Sequence, residues 1–97
     1  GDLRLDPATH QVFRGEEAIS LTRTEFLLLE SLLRRPGQVI PRSSLIESVW
    51  GFEREIESNT LDAFIRLLRS KIEAPDVPKL IRTVRGVGYC IQEGGPE

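Results

Sequence analysis

The segment SNTLDAFIRLLRSKIE, residues 58–73, decides the fold of this chain. Apolar side chains recur in it at helical spacing, at Leu61, Ile65, Leu68 and Ile72. At about 100° per residue these four side chains fall within about 60° of arc. The opposite face carries small and cationic side chains, at Asn59, Ala63, Arg66 and Ser70. The segment predicts an amphipathic helix, capped by Ser58 or Asn59, with one buried stripe and one face turned outward.

The outward face of this helix has two interpretations. Small side chains between long cations suit the major groove of DNA, because they allow close approach while arginine reaches phosphates or guanine edges. An ordinary solvated face with surface arginines is the alternative. Arg69 and Lys71 lie on the borders of this face and Leu67 is partly outward. The helix by itself leaves both interpretations open.

A β-hairpin is predicted after the helix, over residues 80–92. Pro75 and Pro78 break the chain first, and two β-like runs then flank the tip Arg85-Gly86-Val87-Gly88. Glycines near a tip permit positive φ and a tight turn. An arginine at the tip of a hairpin that follows a basic helix predicts a wing able to enter a minor groove. A phosphate-binding loop is a weak alternative, because no complete glycine-rich nucleotide motif is present.

The first half of the chain predicts a small sheet followed by two helices. Three short strands, at Leu3–Leu5, His10–Phe13 and Ala18–Leu21, are separated by turn residues and indicate an antiparallel meander within residues 1–21. A helix over residues 22–35 begins with Thr22 and Glu25, which form a capping-box pattern. A second helix over residues 42–50 precedes a short acidic loop at 51–57.

Composition restricts the class of protein. The chain has 97 residues, enough for one domain with a modest core, and a net charge of −2. Residues 58–92 carry six Lys/Arg against three Asp/Glu, whereas residues 1–57 carry seven against ten. This asymmetry is what a phosphate-binding face requires. No apolar run is long enough for a membrane span, and the single cysteine predicts a reducing cytoplasm.

Catalytic and metal-binding patterns are absent from the sequence. His10 is the only histidine, and Cys90 lies within a predicted strand, where a buried structural thiol is expected rather than a nucleophile. The sequence shows no His/Cys/carboxylate cluster with metal-ligand spacing. We therefore expect neither an enzyme nor a cofactor or metal requirement.

Four segments together carry a family resemblance. They are LTRTEFLLL at 21–29, VIPRSSL at 39–45 with VWG at 49–51, SNTLD at 58–62 with its continuation, and RTVRGVGY at 82–89. In order and spacing the chain resembles the effector domain of OmpR/PhoB-type response regulators. The resemblance implies an α+β winged helix-turn-helix with an N-terminal four-stranded antiparallel sheet, three helices and a C-terminal hairpin wing. The fourth strand would then lie near Gln38–Ile40.

The resemblance also implies a function. It implies sequence-specific binding of double-stranded DNA and transcription regulation in a bacterial two-component phosphorelay, without a cofactor. Control would come from a receiver domain phosphorylated by a sensor histidine kinase, and we expect that domain to lie outside these residues. Two copies would bind direct repeats. The rival hypothesis is a winged helix used for protein contact without DNA.

Residue roles follow from the matching positions. The third helix would enter the major groove, with contacts from Asn59, Thr60, Ala63, Phe64, Arg66, Leu67, Arg69 and Lys71. The wing would contact the DNA backbone and the adjacent minor groove, through Thr83, Arg85, Gly86 and Tyr89. Trp50 matches a position that approaches phosphate, and a core aromatic is its alternative role.

The acidic loop and two departures from the family complete the sequence-based expectations. The loop matches a segment that relatives use to contact RNA polymerase, comprising Gly51, Phe52, Glu53, Arg54, Glu55, Ile56 and Glu57; an ordinary solvated turn is the alternative. Leu67 stands where many relatives carry a polar or basic side chain, so we expect a shifted or relaxed base preference. Pro41 stands where relatives often have a capping serine, and with Ser44 and Glu47 as another capping pair we expect a local shift of the helix start.

Overall fold

An N-terminal antiparallel sheet opens the fold. The computed structural model describes residues 3–6, 8–51, 56–73 and 80–91. Strands β1 (Leu3–Asp6), β2 (Gln11–Arg14) and β3 (Glu17–Ile19) pair in sequence order. Val12 of β2 lies opposite Leu5 and Ile19 and is fully buried, so one face of this sheet joins the core.

His10 lies in the turn before β2 and not in the strand, where the sequence had placed it. Its φ is 58°, in the left-handed region, so the backbone turns here instead of extending. The imidazole stacks on the ring of Phe26, with 4.7 Å between ring centroids. This contact fastens the N-terminal sheet to the first helix.

The first helix, α1 (Arg23–Leu33), starts at the predicted capping box. The Thr22 hydroxyl accepts from the Glu25 backbone N–H at 3.2 Å, and the Glu25 carboxylate accepts from the Thr22 N–H at 2.9 Å. This reciprocal pair satisfies two backbone donors that a helix start otherwise leaves unpaired. Phe26, Leu29 and Leu32 lie in the core with exposures of 1% or less.

Helices α2 (Arg42–Trp50) and α3 (Ser58–Ile72) follow, and both begin without a side-chain cap. Pro41 is the N-cap residue of α2, so the helix starts at Arg42 and the expected Ser44–Glu47 cap does not form there. Glu57 precedes α3, and the prediction that Ser58 or Asn59 caps it is wrong. The backbone N–H of Arg42 donates to the Val87 carbonyl at the start of α2, and that of Thr60 donates to the Glu57 carbonyl at the start of α3.

The C-terminal sheet corrects the predicted strand count. Strands β4 (Ile40–Pro41), β5 (Ile81–Val84) and β6 (Gly88–Ile91) form a three-stranded sheet in the order β4-β6-β5. The strand expected to extend the N-terminal sheet to four therefore pairs with the wing instead, with Ile40 opposite Tyr89. Backbone bonds from Gly37 to Ile91 and from Arg42 to Val87, at 2.9 and 3.1 Å, hold it there.

The core lies where α1, α3 and the C-terminal sheet meet. The predicted stripe of α3 is buried, at Leu61, Ile65, Leu68 and Ile72, each 1% exposed or less. Leu45 of α2 and the strand residues Ile81 and Ile91 complete it. Three helices and a C-terminal hairpin in an α+β arrangement are therefore confirmed, and the burial of one α3 face leaves its other face outward.

Gly86 and Gly88 of the wing are required for different reasons, one conformational and the other steric. Gly86 at the tip has φ of +76°, which an L side chain rarely adopts. At Gly88 the reason is space, because a Cβ would collide with the Ile40 carbonyl oxygen and lie 2.9 Å from the Pro41 Cα. The close approach of β4 to β6 thus depends on the missing side chain.

Glu25 is the buried charge of the core. Its side chain is 2% exposed, and the Lys71 ammonium of α3 lies 2.7 Å from its Oε1. Burial raises the pKa of Glu25, but hydrogen bonds from Lys71 and from Thr22 outweigh it and hold the pKa below its ordinary value. Lys71 therefore ties α3 to the start of α1, and its place on the DNA-binding face stays a prediction.

We expect Gly88→Ala to lower the free energy of unfolding by about 1–3 kcal/mol, because the new methyl group forces β4 away from β6. Urea unfolding followed by far-UV circular dichroism measures this. Gly86→Asn is the matched control, since nothing lies within 4 Å of a Cβ there and asparagine tolerates positive φ. Equal stabilities of Gly88→Ala and wild type would contradict the close strand approach.

Lys71→Met should destabilise the domain by about 2–3 kcal/mol at neutral pH, because it leaves the Glu25 carboxylate buried without its ammonium. A carboxyl group with a lowered pKa stabilises the fold above its unfolded pKa and loses this contribution on acidification. The difference between variant and wild type should therefore shrink as the pH falls towards about 3. Urea titrations at several pH values test this, and a difference independent of pH would contradict the ion pair.

Candidate nucleic-acid interface

The outward face of α3 is a continuous exposed surface. Asn59, Ala63 and Leu67 form one row at intervals of four residues, and Arg66 and Ser70 form a second row beside it. All five are exposed. The rows follow from the burial of the opposite stripe, since a side chain half a turn away from the core has to face solvent. The side chains that the sequence placed on the outward face of α3 are therefore exposed.

The tip of the wing forms a second exposed surface. Arg85, Gly86 and Val87 make the turn between β5 and β6, closed by a hydrogen bond from the Val87 N–H to the Val84 carbonyl at 3.0 Å. Arg82 and Thr83 of β5 are also exposed. The wing therefore presents two arginines outward, one of which, Arg82, did not figure among the predicted contact residues.

Arg69 joins α3 to the wing instead of pointing freely outward. Its Nη2 donates to the Thr83 hydroxyl at 2.6 Å and to the Ile81 carbonyl at 3.1 Å. The guanidinium also lies over the Tyr89 ring, 5.8 Å from the centroid. Arg69 is half-buried. These contacts fix the wing relative to α3, so Arg69 is in the first place a positioning residue.

Asp62 connects three elements through one carboxylate. Its Oδ1 and Oδ2 accept from Arg42 Nη1 and Nη2, at 2.7 and 3.1 Å, in a bidentate ion pair. The Tyr89 hydroxyl donates to the same Oδ1. Arg42 begins α2, Asp62 lies in the first turns of α3, and Tyr89 is in β6. We call these three residues the Asp62 junction.

The charges of the Asp62 junction are mutually stabilised. Arg42 and then Tyr89 hold the pKa of Asp62 below its ordinary value. Burial, together with the hydrogen bond to Asp62, raises the pKa of Tyr89 above 10.0. The carboxylate and the neutral phenol are therefore the forms that the fold favours near neutral pH. The negative charge of Asp62, the acidic side chain of α3, is thereby compensated by Arg42 at a position where it would otherwise repel phosphate.

Three residues that the sequence predicted as DNA contacts, Tyr89, Trp50 and Phe64, pack against other side chains of the domain. Tyr89 is 4% exposed and donates its hydroxyl to Asp62, so it supports the wing from within. Trp50 and Phe64 are half-buried and pack on each other with ring centroids 5.6 Å apart. Of the alternatives for Trp50, the structure favours the core aromatic. Thr60 is half-buried at the start of α3.

The predicted polymerase-contact loop is described only at its ends. Gly51 and Ile56 are half-buried, and Glu57 is exposed directly before α3. Phe52, Glu53, Arg54 and Glu55 lie outside the described residues, as do residues 74–79 and Gln92, the last residue of the predicted wing. The loop remains a prediction.

Sequence reasoning missed the Asp62 junction and the ion pair of Lys71 with Glu25. Both ion pairs join residues far apart along the chain, 20 positions for Arg42–Asp62 and 46 for Lys71–Glu25. The one available signal was Asp62 itself, an acidic residue on a helix otherwise expected to approach phosphate. Nothing in the sequence indicated which cation would neutralise it.

Two other kinds of site, a metal centre and a membrane-spanning helix, have no counterpart among the described residues. In that part of the chain, no group of three or more His, Cys, Asp or Glu side chains has an arrangement that could hold a metal ion. Over the same residues, none of the helices combines the length and apolar character needed to cross a membrane.

Asp62→Asn should lower the free energy of unfolding by about 1–2 kcal/mol at neutral pH, because Arg42 and Tyr89 lose a charged acceptor that is partly solvent-screened. Since the pKa of Asp62 is lowered, its contribution is present above the unfolded value and is lost as pH falls through the folded one. Thermal unfolding at pH 7 and at about pH 3 measures both. Glu30→Gln is the control, because its 3.9 Å pair with the exposed Arg34 is longer and not bidentate. Equal losses in the two variants would contradict the junction.

Comparison with known proteins identifies the family. The family model described as "Transcriptional regulatory protein, C terminal" matches residues 15–91. The response regulator MprA of Mycobacterium avium (strain 104) is 52% identical over 95 residues, which cover 98% of this chain and 42% of that protein. This chain therefore spans less than half the length of the curated relatives that it matches.

Solved structures agree with this assignment. A structure described as a novel family of redox sensors in the streptococci, evolved from two-component response regulators, superposes with a TM-score of 0.88 at 48% identity, covering 97% of this chain and 41% of that one. The RstA DNA-binding domain of Klebsiella pneumoniae, solved in complex with the RstA box, superposes with a TM-score of 0.82 at 31% identity, covering 95% and 92%. On this evidence the chain belongs to the family of C-terminal domains of OmpR/PhoB-type transcriptional regulatory proteins.

Proposed function

We propose that this chain is the output domain of a bacterial response regulator, which binds specific double-stranded DNA through α3 and the wing. The observation that carries the proposal is the exposed α3 face, where Arg66 stands beside Ala63 and Ser70 opposite a fully buried stripe. Small side chains let the helix approach the floor of the major groove, and the arginine reaches guanine or phosphate. The solved complex of RstA with its DNA box supports this use of the fold.

The distribution of charge supports the same proposal. Exposed arginines lie on α3 and along the wing, at Arg66, Arg82 and Arg85. Asp62, the acidic residue nearest to Arg66 on the helix, is held in an ion pair with Arg42. A DNA strand facing this surface would therefore meet cations whose neighbouring carboxylate is already compensated. Arg85 at the tip is placed to enter an adjacent minor groove.

The wider role of the protein is part of this proposal. MprA is named a response regulator, and we infer that this chain likewise acts with a receiver domain phosphorylated by a sensor histidine kinase. We further infer a cytoplasmic protein that binds direct repeats as a dimer. Loop 51–57 is our candidate for a contact with RNA polymerase, since its acidic side chains suit a protein partner better than DNA.

Selection from random duplex DNA tests the proposal, followed by fluorescence anisotropy at several salt concentrations. We expect a short motif and a log-log salt slope of about −3, because roughly three cations would release counterions on binding. Failure to enrich a motif, with no salt-dependent affinity at low ionic strength, would favour a protein-contact module. A protein with two copies of the domain fused in tandem separates this outcome from a domain that binds DNA only as a dimer. The tandem protein restores avidity for direct repeats, so it would bind DNA only in the second case.

Arg85→Ala should weaken binding to the selected duplex by about 1–3 kcal/mol, if the tip reaches the minor groove as proposed. Arg34→Ala is the matched control, because Arg34 is an exposed arginine that follows α1, away from α3 and the wing. Anisotropy titrations of both variants measure the difference. Equal affinities of Arg85→Ala and wild type would remove the wing from the interface.

A further inference from the structure

We infer that Leu67 gives this domain a specific preference for thymine, read through the 5-methyl group in the major groove. The inference rests on the proposed DNA-binding function and names the base that the α3 face selects. Of the shifted and the relaxed base preference that the sequence left open at Leu67, thymine selection corresponds to the shifted one.

The first observation is the exposure of Leu67. Its side chain is 49% exposed, although leucine is the kind of residue that a small domain buries. It ends the row Asn59–Ala63–Leu67, towards one side of the outward face and one turn from Ala63. An exposed leucine alone needs no explanation, but this one adjoins Arg66 on the surface proposed to meet DNA.

The second observation is the polar capacity of the side chains around Leu67. The Ser70 hydroxyl donates to the Leu67 carbonyl at 2.6 Å, so its proton is used within the helix. Ala63 has no polar atom in its side chain. Arg69 is bound to Ile81 and Thr83 of the wing. Around Leu67 the surface therefore offers methyl groups, with the Ser70 hydroxyl oxygen as an acceptor only and Arg66 as the neighbouring long donor.

The chemistry of base edges selects the ligand. In the major groove thymine alone among the four DNA bases presents a methyl group, and apolar side chains recognise it by contact. Cytosine and adenine present amino donors there, for which the side chains of Ala63 and Leu67 themselves offer no acceptor. Arg66, one residue before Leu67, suits a guanine close to that thymine. The geometry points to a site in which one or two thymines lie beside a guanine.

Deoxyuridine provides the test, because it pairs as thymine does but lacks the 5-methyl group. Each thymine of the selected duplex is replaced singly by deoxyuridine, and binding by the whole chain is followed by anisotropy. We expect about a three- to fivefold loss of affinity at one or two positions, the effect of about one buried methyl group. Leu67→Ala should bind the thymine and deoxyuridine duplexes at those positions equally well.

Two variants make the result specific to Leu67. Arg66→Ala is the matched control from the same surface, and it should bind more weakly overall while keeping the ratio of thymine to deoxyuridine affinities. Leu67→Gln should move the preference at the same position from thymine towards adenine, whose N6 and N7 a glutamine can engage. Thermal unfolding of each variant checks that these exposed substitutions leave the fold intact.

The outcomes separate this inference from the proposed function. A duplex that is selected and bound with a salt-dependent affinity, but that tolerates deoxyuridine at every position, would overturn thymine reading and leave DNA binding standing. A methyl effect that persists in Leu67→Ala would overturn the role of Leu67 in the same way. Failure to select any duplex, with the tandem protein as well, would overturn both.

Discussion

Three elements that are distant along the chain meet at the carboxylate of Asp62. Arg42 at the start of α2 and Tyr89 in β6 both donate to it, so that one acidic side chain fixes two helices and the wing against each other. A bidentate guanidinium–carboxylate pair constrains angle as well as distance. The relative placement of the α3 face and the wing tip depends on this junction. It therefore also sets how the two surfaces could contact one DNA duplex together.

Contacts of Arg69 also hold α3 and the wing in a fixed relative position. Arg69 leaves α3, crosses the Tyr89 ring and binds Thr83 and the Ile81 carbonyl. At the opposite edge of the C-terminal sheet from β5, Gly88 allows β4 to approach β6. Among the described cations of α2, α3 and the wing, Arg42, Arg69 and Lys71 bind other elements of the fold, while Arg66, Arg82 and Arg85 are exposed. Positive charge along the sequence does not by itself mark a DNA contact.

The division also explains how a domain of net charge −2 can present a surface for phosphate. Two carboxylates that pack against or lie on α3 are compensated internally, Asp62 by Arg42 and Glu25 by Lys71. Because both pairs hold their acids ionised, little of that negative charge is left to oppose a nucleic acid. The exposed side chains of α3 and the wing then define local potential, and local potential, not net charge, governs approach to DNA.

The sequence by itself determined the elements whose causes are local. The helical period of Leu61, Ile65, Leu68 and Ile72 fixed both faces of α3, and Thr22 with Glu25 fixed the start of α1. Only the tertiary structure decided the rest: that Ile40 pairs with the wing, that Lys71 neutralises a buried acid and that Tyr89 turns inward. Periodicity and capping act within one turn of helix, whereas strand partners and ion pairs join residues whose separation along the chain leaves no pattern to read.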